Sequence, residues 1–505
     1  MGFLGVLQCG HIEIDTHLIT ALVERWRPET HTFHFSVGEA TITLQDIAVI
    51  WALPVEGNII TGVDTNMTKQ QWQNYCHQWL GFQPNENSFK NARIKLAALL
   101  DRLLNHTCDD DSPFEEVLQE ARVCVMCLIG GLLCPDATGN TVSLLYLRHM
   151  ENIDEESTSN WGTAVLAYLY RELCTASQRG KTNIGGAMQL LQIWAWSRII
   201  TLAPIPSNNV ADLMPTIDDP ENVLPVPPYA RRYVVISYIS DAYGPQRHTY
   251  YSDTLDRMQE NEFIWTPYLH GLPELQSLPA YATRTPWNIR CPLINYSIVE
   301  MHHVERVLRQ FGMIQDIPPN PLVSERRLHQ IDRRGRRGED WVAFHRDYIL
   351  KWNDVHSLIV VRPDVGNGRG TVPDYMNWYH QISRRLRQEP LHMGINFMSV
   401  KIPPPPPARG AGPSNVYTRN VYTEAGPSNV YTPQVLQMST LKPVHPMSIL
   451  HRSHLTFMRM HKDIWISPVP FEGSELNTPV DERQVHPPNE TDVVHVVALG
   501  DICSG

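Results

Sequence analysis

Several things are missing from this 505-residue chain, and each absence excludes a class of protein. No apolar run approaches the roughly 18 residues a helix needs to cross a bilayer, so the chain reads as soluble and without a membrane partner. There is no surplus of positive charge. Lys and Arg number 42 against 53 Asp and Glu, and the net charge of −11 argues against a generally basic nucleic-acid binder while leaving room for a local patch. The nine cysteines, at 9, 76, 108, 124, 127, 134, 174, 291 and 503, are too irregularly spaced for a disulfide framework. They imply a reducing compartment. The N-terminus carries no basic stretch followed by an apolar run, and Val6 stands where a myristoylation signal needs Ser or Thr. Gly180-Lys181-Thr182 lacks the glycine five residues earlier that a phosphate-binding loop requires; Thr175 is there instead.

What is present is organised around Leu18 to Gly57. Leu18, Leu22, Val23 and Trp26 recur at helical spacing, and Pro28 ends that helix. Phe33 and Phe35 share one face of a short alternating run, and Ile42 and Leu44 one face of a second. Val37-Gly38-Glu39 lies between them, so a small β-hairpin is expected. Thr43 followed by Asp46 forms a capping box for a helix running to Leu53, closed by Pro54 and Gly57. This stretch, ERWRPETHTFHF and then GEATITLQDIAVIWALPVEG, resembles the plant mobile domain family, also called the aminotransferase-like plant mobile domain. In that light MGFLGVLQCG resembles the interior of the family domain rather than its start, and an N-terminally truncated copy is expected.

Helical patterning continues from Asn66 to Leu104, with Trp72, Tyr75, Trp79 and Leu80 in one stripe and Ile94, Ala97, Ala98, Leu100 and Leu104 in another. TCDDDSP at 107–113 reads as a polar loop in which aspartates cap turns. Cys124-x-x-Cys127 with Cys134 nearby lacks the second ligand pair of a zinc site and sits in an apolar run, so it reads as core packing. Asn160 caps a helix carrying Trp161, Val165, Tyr168 and Leu169. GAMQLLQIWAWSRII at 186–200 is apolar on nearly every side and reads as the central buried helix. Trp26, Trp51, Trp161, Trp194 and Trp196 are core candidates. The Pro- and Asp-rich stretch 202–230 reads as a long surface loop, and 231–240 as a strand.

RCPLINYSIVEMHHVERVLRQFGMIQDIP at 290–318 is a second block resembling the family. Ile298, Val299, Val304, Val307, Leu308 and Phe311 predict a helix ended by Gly312. Within it Glu300, His302, His303 and Glu305 cluster in sequence. Adjacent histidines on a helix point about 100° apart, so no metal site is expected there. Arg333-Arg334-Gly335-Arg336-Arg337, with Arg326 and Arg327 before it, is the dense basic cluster of the chain. Trp341, His345, Tyr348, Ile349 and Trp352 follow at helical spacing, and YMNWYHQISRR marks a closing helix. After Pro390 the composition changes. Five prolines at 403–407 favour extended polyproline geometry, and AGPSNVYT occurs at 411–418 and again at 425–432.

The expected fold is therefore mainly α, with a large helical domain over 1–386 and a small β-hairpin near the N-terminus. A Pro-rich linker at 387–433 and a low-order, disordered tail at 434–505 are expected to follow. The resemblance implies a non-enzymatic nuclear regulatory or scaffold protein, concerned with meristem maintenance, genome stability and repression of transposable elements. Its implied partners are nuclear proteins, including a phosphatase-7-like protein, with nucleic acid as the weaker candidate. No catalytic residue, metal ligand or cofactor is assigned. A metallophosphatase needs two-metal motifs of the GDxHG, GDxVDRG and GNHE kind, which the chain lacks. Nothing around Lys181 supplies what a pyridoxal cofactor needs. The alternatives are a transposon-encoded relic or a nucleic-acid-binding protein. Arg333, Arg334, Arg336 and Arg337 are expected in an exposed loop, because uncompensated guanidinium groups are costly to bury. That loop is open to three readings: a solvated turn, a nuclear-import address, or a phosphate contact.

Overall fold

The computed structural model describes residues 2–388, except positions 10, 11, 90, 107, 110 and 182 and the segments 153–158, 207–227, 234–245, 269–286 and 366–368. The chain opens with a short helix α1 (Leu4–Gln8) and then α2 (Thr16–Val23), whose first turn is capped by the Asp15 carboxylate accepting from the backbone of His17 and Leu18. This helix stops before Trp26, which begins a strand instead. β1 (Trp26–Arg27), β2 (Thr32–Phe35) and β3 (Gly38–Ala40) form a three-stranded antiparallel sheet, with Trp26 opposite Phe33 and Phe33 opposite Ala40. The expected hairpin is there, enlarged by a strand taken from the expected helix. The reason is local. Pro28 lies in a turn that His31 closes at φ +52, with its N–H on the Arg27 carbonyl, and this folds residues 26–27 back onto β2. Ile42 and Leu44 are not strand partners; Leu44 opens α3 (Leu44–Ile50), whose N-terminus carries the expected Thr43–Asp46 capping box.

Next come α4 (Lys69–Leu80), with its own Thr68–Gln71 box, and α5 (Leu96–Asn105). Between them β4 (Arg93–Lys95) interrupts the expected helical pattern by pairing with β5 (Thr141–Ser143). α6 (Phe114–Leu128) widens into a π-helical turn over Ile129–Leu133. There Gly130 lets the chain pass Leu96 and Val142 so closely that a Cβ would sit 2.7 Å from each. α7 (Trp161–Ala176), capped by Asn160, and α8 (Met188–Arg198) form the centre of the core. Every residue of α8 is buried, as its all-round apolarity predicts. Trp26, Trp51, Trp161, Trp194 and Trp196 are all core residues. α9 (Arg247–Arg257) packs on α2.

The block at 290–318 is not a helix. β6 (Pro292–Asn295) and β7 (Ile298–Met301) form a tight hairpin against α7, and residues 304–311 follow in short 3-10 turns ended by Gly312. Period-3.6 spacing misleads here because Ile298 and Val299 lie on opposite faces of a strand buried on both sides. α10 (Val323–Arg326) is followed by α11 (Trp341–Phe344) and α12 (Arg346–Asn353), which divide the expected single helix at His345. The closing helix is α13 (Tyr375–Gln388). Of the expected strand at 231–240, residues up to Tyr233 belong to a 3-10 turn and the remainder lies outside the described residues, as does most of 202–230. The linker and tail expected from 389 onward also lie outside them.

Two buried polar devices hold this architecture. Asp46 accepts from the Thr43 backbone and hydroxyl at 2.7 Å each, from the Arg198 guanidinium at 2.6 Å and from the Tyr268 hydroxyl at 2.7 Å. Both Asp46 and Arg198 are wholly buried. The second device grips the β6–β7 turn, where Tyr296 takes φ +50. The Tyr296 hydroxyl donates to the Leu145 carbonyl, so its oxygen accepts from His149 Nε2 at 3.0 Å, and His345 Nε2 donates to the Ser297 carbonyl at 3.3 Å. Burial pushes both imidazoles down to about 4, chiefly by desolvation.

Replacing Asp46 with alanine strands a buried guanidinium, and equilibrium urea unfolding should show a loss of about 3–5 kcal/mol. The two histidines make a separate prediction. Their folded pKa lies below the ordinary 6.5, so the unfolded chain binds more protons between those values. Their stabilisation is full above pH 6.5 and is lost as pH falls toward 4, by roughly 2–3 kcal/mol per histidine. Urea midpoints of wild type and of His149→Gln measured across that range should converge toward the acid end.

Candidate functional site

The arginine loop is the surface feature singled out by sequence, and the structure sorts its four side chains. Gly335 and Gly338 take φ +74 and +83, allowing residues 333–339 to reverse tightly. The loop is sewn to the segment before α4: Gly338 N–H donates to the Asp64 carbonyl and Asp64 N–H to the Glu339 carbonyl, both at 2.8 Å. Arg333 is half-buried and grips the Asp64 carboxylate with two parallel bonds, Nε to Oδ2 at 2.6 Å and Nη2 to Oδ1 at 2.7 Å. Arg336 is also half-buried. It lies over the Phe344 ring at 4.6 Å and 3.5 Å from Glu339. Arg334 is exposed and pairs with Asp332 two residues earlier, at 2.7 Å. Arg337 is exposed and, among the described residues, has no carboxylate partner. The expectation of an uncompensated exposed loop is corrected on this point: three of the four arginines have an acidic partner, and Arg333 is a structural clamp. Arg326 and Arg327 are exposed as well.

The larger share of the chain's chemistry is internal, and sequence reading missed it. Glu39 on β3 receives Arg306 through two bonds of 2.6 and 2.7 Å, and Thr32 adds a third at 3.3 Å. Burial would raise the Glu39 pKa, but the Arg306 guanidinium, together with His34 and the Thr32 hydroxyl, outweighs it and holds the carboxyl below its ordinary range. Gln310 pairs with the backbone of Thr41 through both ends of its amide, 2.8 Å each, as a further strand would. Arg309 lies over the Trp265 ring at 3.7 Å, donates to the Val37 carbonyl and pairs with Glu260. Glu300, wholly buried on β7, pairs with Arg171 of α7, which also donates to the carbonyls of Leu328 and Ile331. The readable signal was a charged residue inside an apolar run: Glu300 in IVEM and Arg198 in WAWSRII.

The sequence cluster of Glu300, His302, His303 and Glu305 is dispersed by the hairpin. His302 donates through Nδ1 to the Ile289 carbonyl at 2.9 Å, and burial lowers its pKa to about 4. His303 Nδ1 and Arg290 Nε share one oxygen of Glu305, at 3.1 and 3.0 Å. Burial would raise that carboxyl, but the His303 and Arg290 contacts prevail and bring it to about 2. Cys127 and Cys134 pack in the core as expected, whereas Cys124 is only partly buried, and desolvation pushes the Cys134 thiol up to about 12. In the 107–113 loop Asp109 accepts from the Ser112 hydroxyl and the Asp111 backbone, the turn-capping role expected of it. Lys181 is exposed.

Comparison with known proteins fits this architecture to a family. Residues 2–380 match the family model described as the plant mobile domain. The chain is 38% identical over 388 residues to the serine/threonine-protein phosphatase 7 long form homolog of Arabidopsis thaliana, covering 76% of this chain and 28% of that protein. It is 30% identical over 390 residues to Protein MAIN-LIKE 2, covering 76% of this chain and 54% of the relative. It is 26% identical over 399 residues to Protein MAINTENANCE OF MERISTEMS, covering 78% and 75%; both are from the same plant. The chain thus spans about a quarter of the first relative and about half of the second. No solved structure matches it. With the matched region running from α1 into α13, the chain belongs to the plant mobile domain family.

Proposed function

We propose that this chain is a non-enzymatic nuclear regulatory or scaffold protein. Its role would be of the kind the name of one relative, MAINTENANCE OF MERISTEMS, describes, together with genome stability and repression of transposable elements. The observation that carries this reading is how the buried charges are used. Asp46, Glu39 and Glu300 are each tied to an arginine of a distant segment, and these carboxylates hold the fold together rather than face a substrate. Nuclear proteins are the proposed partners. A phosphatase-7-like protein is among them because one relative is named for that enzyme. The second reading, a nucleic-acid-binding protein, is favoured by the exposed Arg326, Arg327, Arg334 and Arg337.

The exposed pair Arg334 and Arg337 separates these readings with little cost to the fold. Arg334→Gln with Arg337→Gln should leave stability within about 0.5 kcal/mol of wild type. As a nuclear address, the pair's loss should move a fluorescent fusion toward the cytoplasm. As a phosphate contact, its loss should leave the fusion nuclear and weaken salt-dependent DNA binding in vitro. Arg333→Gln is the control. It breaks the clamp on Asp64 and should cost about 1 kcal/mol, discounted for its partial exposure, without moving the fusion. A wild-type fusion that never enters the nucleus would refute the proposed function. Turnover of a phosphoester by the purified chain, abolished by chelator, would refute its non-enzymatic part.

A further inference from the structure

Around Glu300 three side chains bring their ligand atoms together, and Glu300 faces two of them. His31 comes from the β1–β2 turn, Cys174 from α7, Glu300 from β7 and His329 from the turn after α10. His31 Nε2 and His329 Nδ1 each lie 3.0 Å from the same oxygen, Glu300 Oε2. The ligand atoms of His31, Cys174 and His329 all lie within 4.8 Å of one another. His31, Cys174 and Glu300 are buried, and His329 is partly so. None of the three facing atoms, His31 Nε2, His329 Nδ1 and Glu300 Oε2, makes a hydrogen bond of proper geometry.

The far side of each ring explains why. His31 Nδ1 is 2.8 Å from the Met301 carbonyl, and His329 Nε2 is 3.1 Å from the Pro28 carbonyl. A carbonyl only accepts, so both of those nitrogens carry the proton. In the neutral imidazoles the inward nitrogens are then lone pairs, aimed at a carboxylate lone pair. This is the arrangement of metal-binding histidines, whose second N–H is held by a backbone carbonyl so that the ligating nitrogen is fixed. The Trp26 indole N–H donates to Cys174 Sγ at 3.2 Å. Arg171 occupies the other oxygen of Glu300 and leaves Oε2 to face inward. His31 adopts its ring position from a left-handed backbone at φ +52, a conformation held only where the surroundings impose it.

We propose that His31, Cys174 and His329 bind one divalent transition-metal ion as a structural site, with Glu300 Oε2, 3.0 Å from both imidazoles, turning in as the fourth ligand. Imidazole, thiolate and carboxylate all serve as zinc ligands. Zinc ligand atoms stand roughly 3.3 to 3.8 Å apart, so the atoms of His31, Cys174 and His329 need only small shifts to admit the ion. Binding forms four metal–ligand bonds and releases the Cys174 thiol proton to solvent; no electron is transferred. The ion would tie the N-terminal sheet, α7, the β6–β7 hairpin and the segment leading to the arginine loop at a single point. The alternative occupant is a second proton on each imidazole, which would place two imidazolium groups beside Arg171.

The test uses the full chain. Purified protein given one equivalent of zinc should retain one zinc per chain through dialysis, by elemental analysis, and should melt lower after treatment with a strong chelator. Cobalt substitution should produce the visible bands of a tetrahedral centre and a near-ultraviolet thiolate-to-cobalt band. Cys174→Ser should abolish the thiolate band. His329→Gln, chosen because it is the least buried ligand, should weaken zinc binding by more than the ~10–100-fold expected for losing an outer-shell partner. Circular dichroism establishes that each variant is folded. A folded wild type that holds no zinc and gives no cobalt spectrum overturns the proposal, and assigns the inward nitrogens to protons. Retention of zinc with unchanged affinity in both variants also overturns it, by placing the ion elsewhere.

Discussion

Asp46 and Arg198 form the contact on which the rest of the chain depends. A carboxylate and a guanidinium, both without solvent access, meet at 2.6 Å where α3, α8 and the segment ending at Tyr268 come together. Neither charge is tolerable there alone, so the three segments must arrive together. The same carboxylate also closes the capping box that starts α3. One side chain thus fixes both where a helix begins and which helix lies beside it. The pairs Glu39–Arg306 and Glu300–Arg171 repeat this logic toward the sheet, each joining an N-terminal or central element to the 292–309 region.

These pairs explain what could be read in the sequence. Caps are local, and Thr43–Asp46 and Asn160 were legible because their chemistry lies within three residues. The all-buried α8 was legible from apolarity alone. The helical period misleads at Trp26, at Ile94 and at Ile298–Val299. β1 is two residues long and β4 three, too short to show alternation, and β7 is buried along most of its length, so the helical period fits by accident. Only a turn can arbitrate, and the turn residues at His31 and Tyr296 are not glycine or asparagine, so they gave no signal.

The internal site was illegible for a different reason. Its residues stand at 31, 174, 300 and 329, one per element, and motif spacing detects ligands only when two share an element. The sequence neighbours His302 and His303 drew attention because they are adjacent, yet they face the Ile289 carbonyl and Glu305. The arginine loop was legible as a charge run, but the acids that divide it into clamp and free surface, Asp64 above all, come from far away in the chain.

The partners of the first fifty residues also fix a timetable. Asp15 takes the Gln192 amide, Thr41 takes Gln310, Glu39 takes Arg306, and the Phe35 carbonyl takes the Tyr379 hydroxyl, separations of 177, 269, 267 and 344 residues. During synthesis the N-terminal sheet therefore emerges from the ribosome long before the groups that satisfy it. The last of these partners arrives only with α13, and contacts this remote in sequence slow folding through the entropy of bringing the chain together. For most of translation the nascent sheet carries Glu39 and the free edge of β3 unpaired. In that interval the young chain is a client for chaperones, and a ribosome stalled ahead of Arg306 would release a fragment that cannot hold its own beginning together.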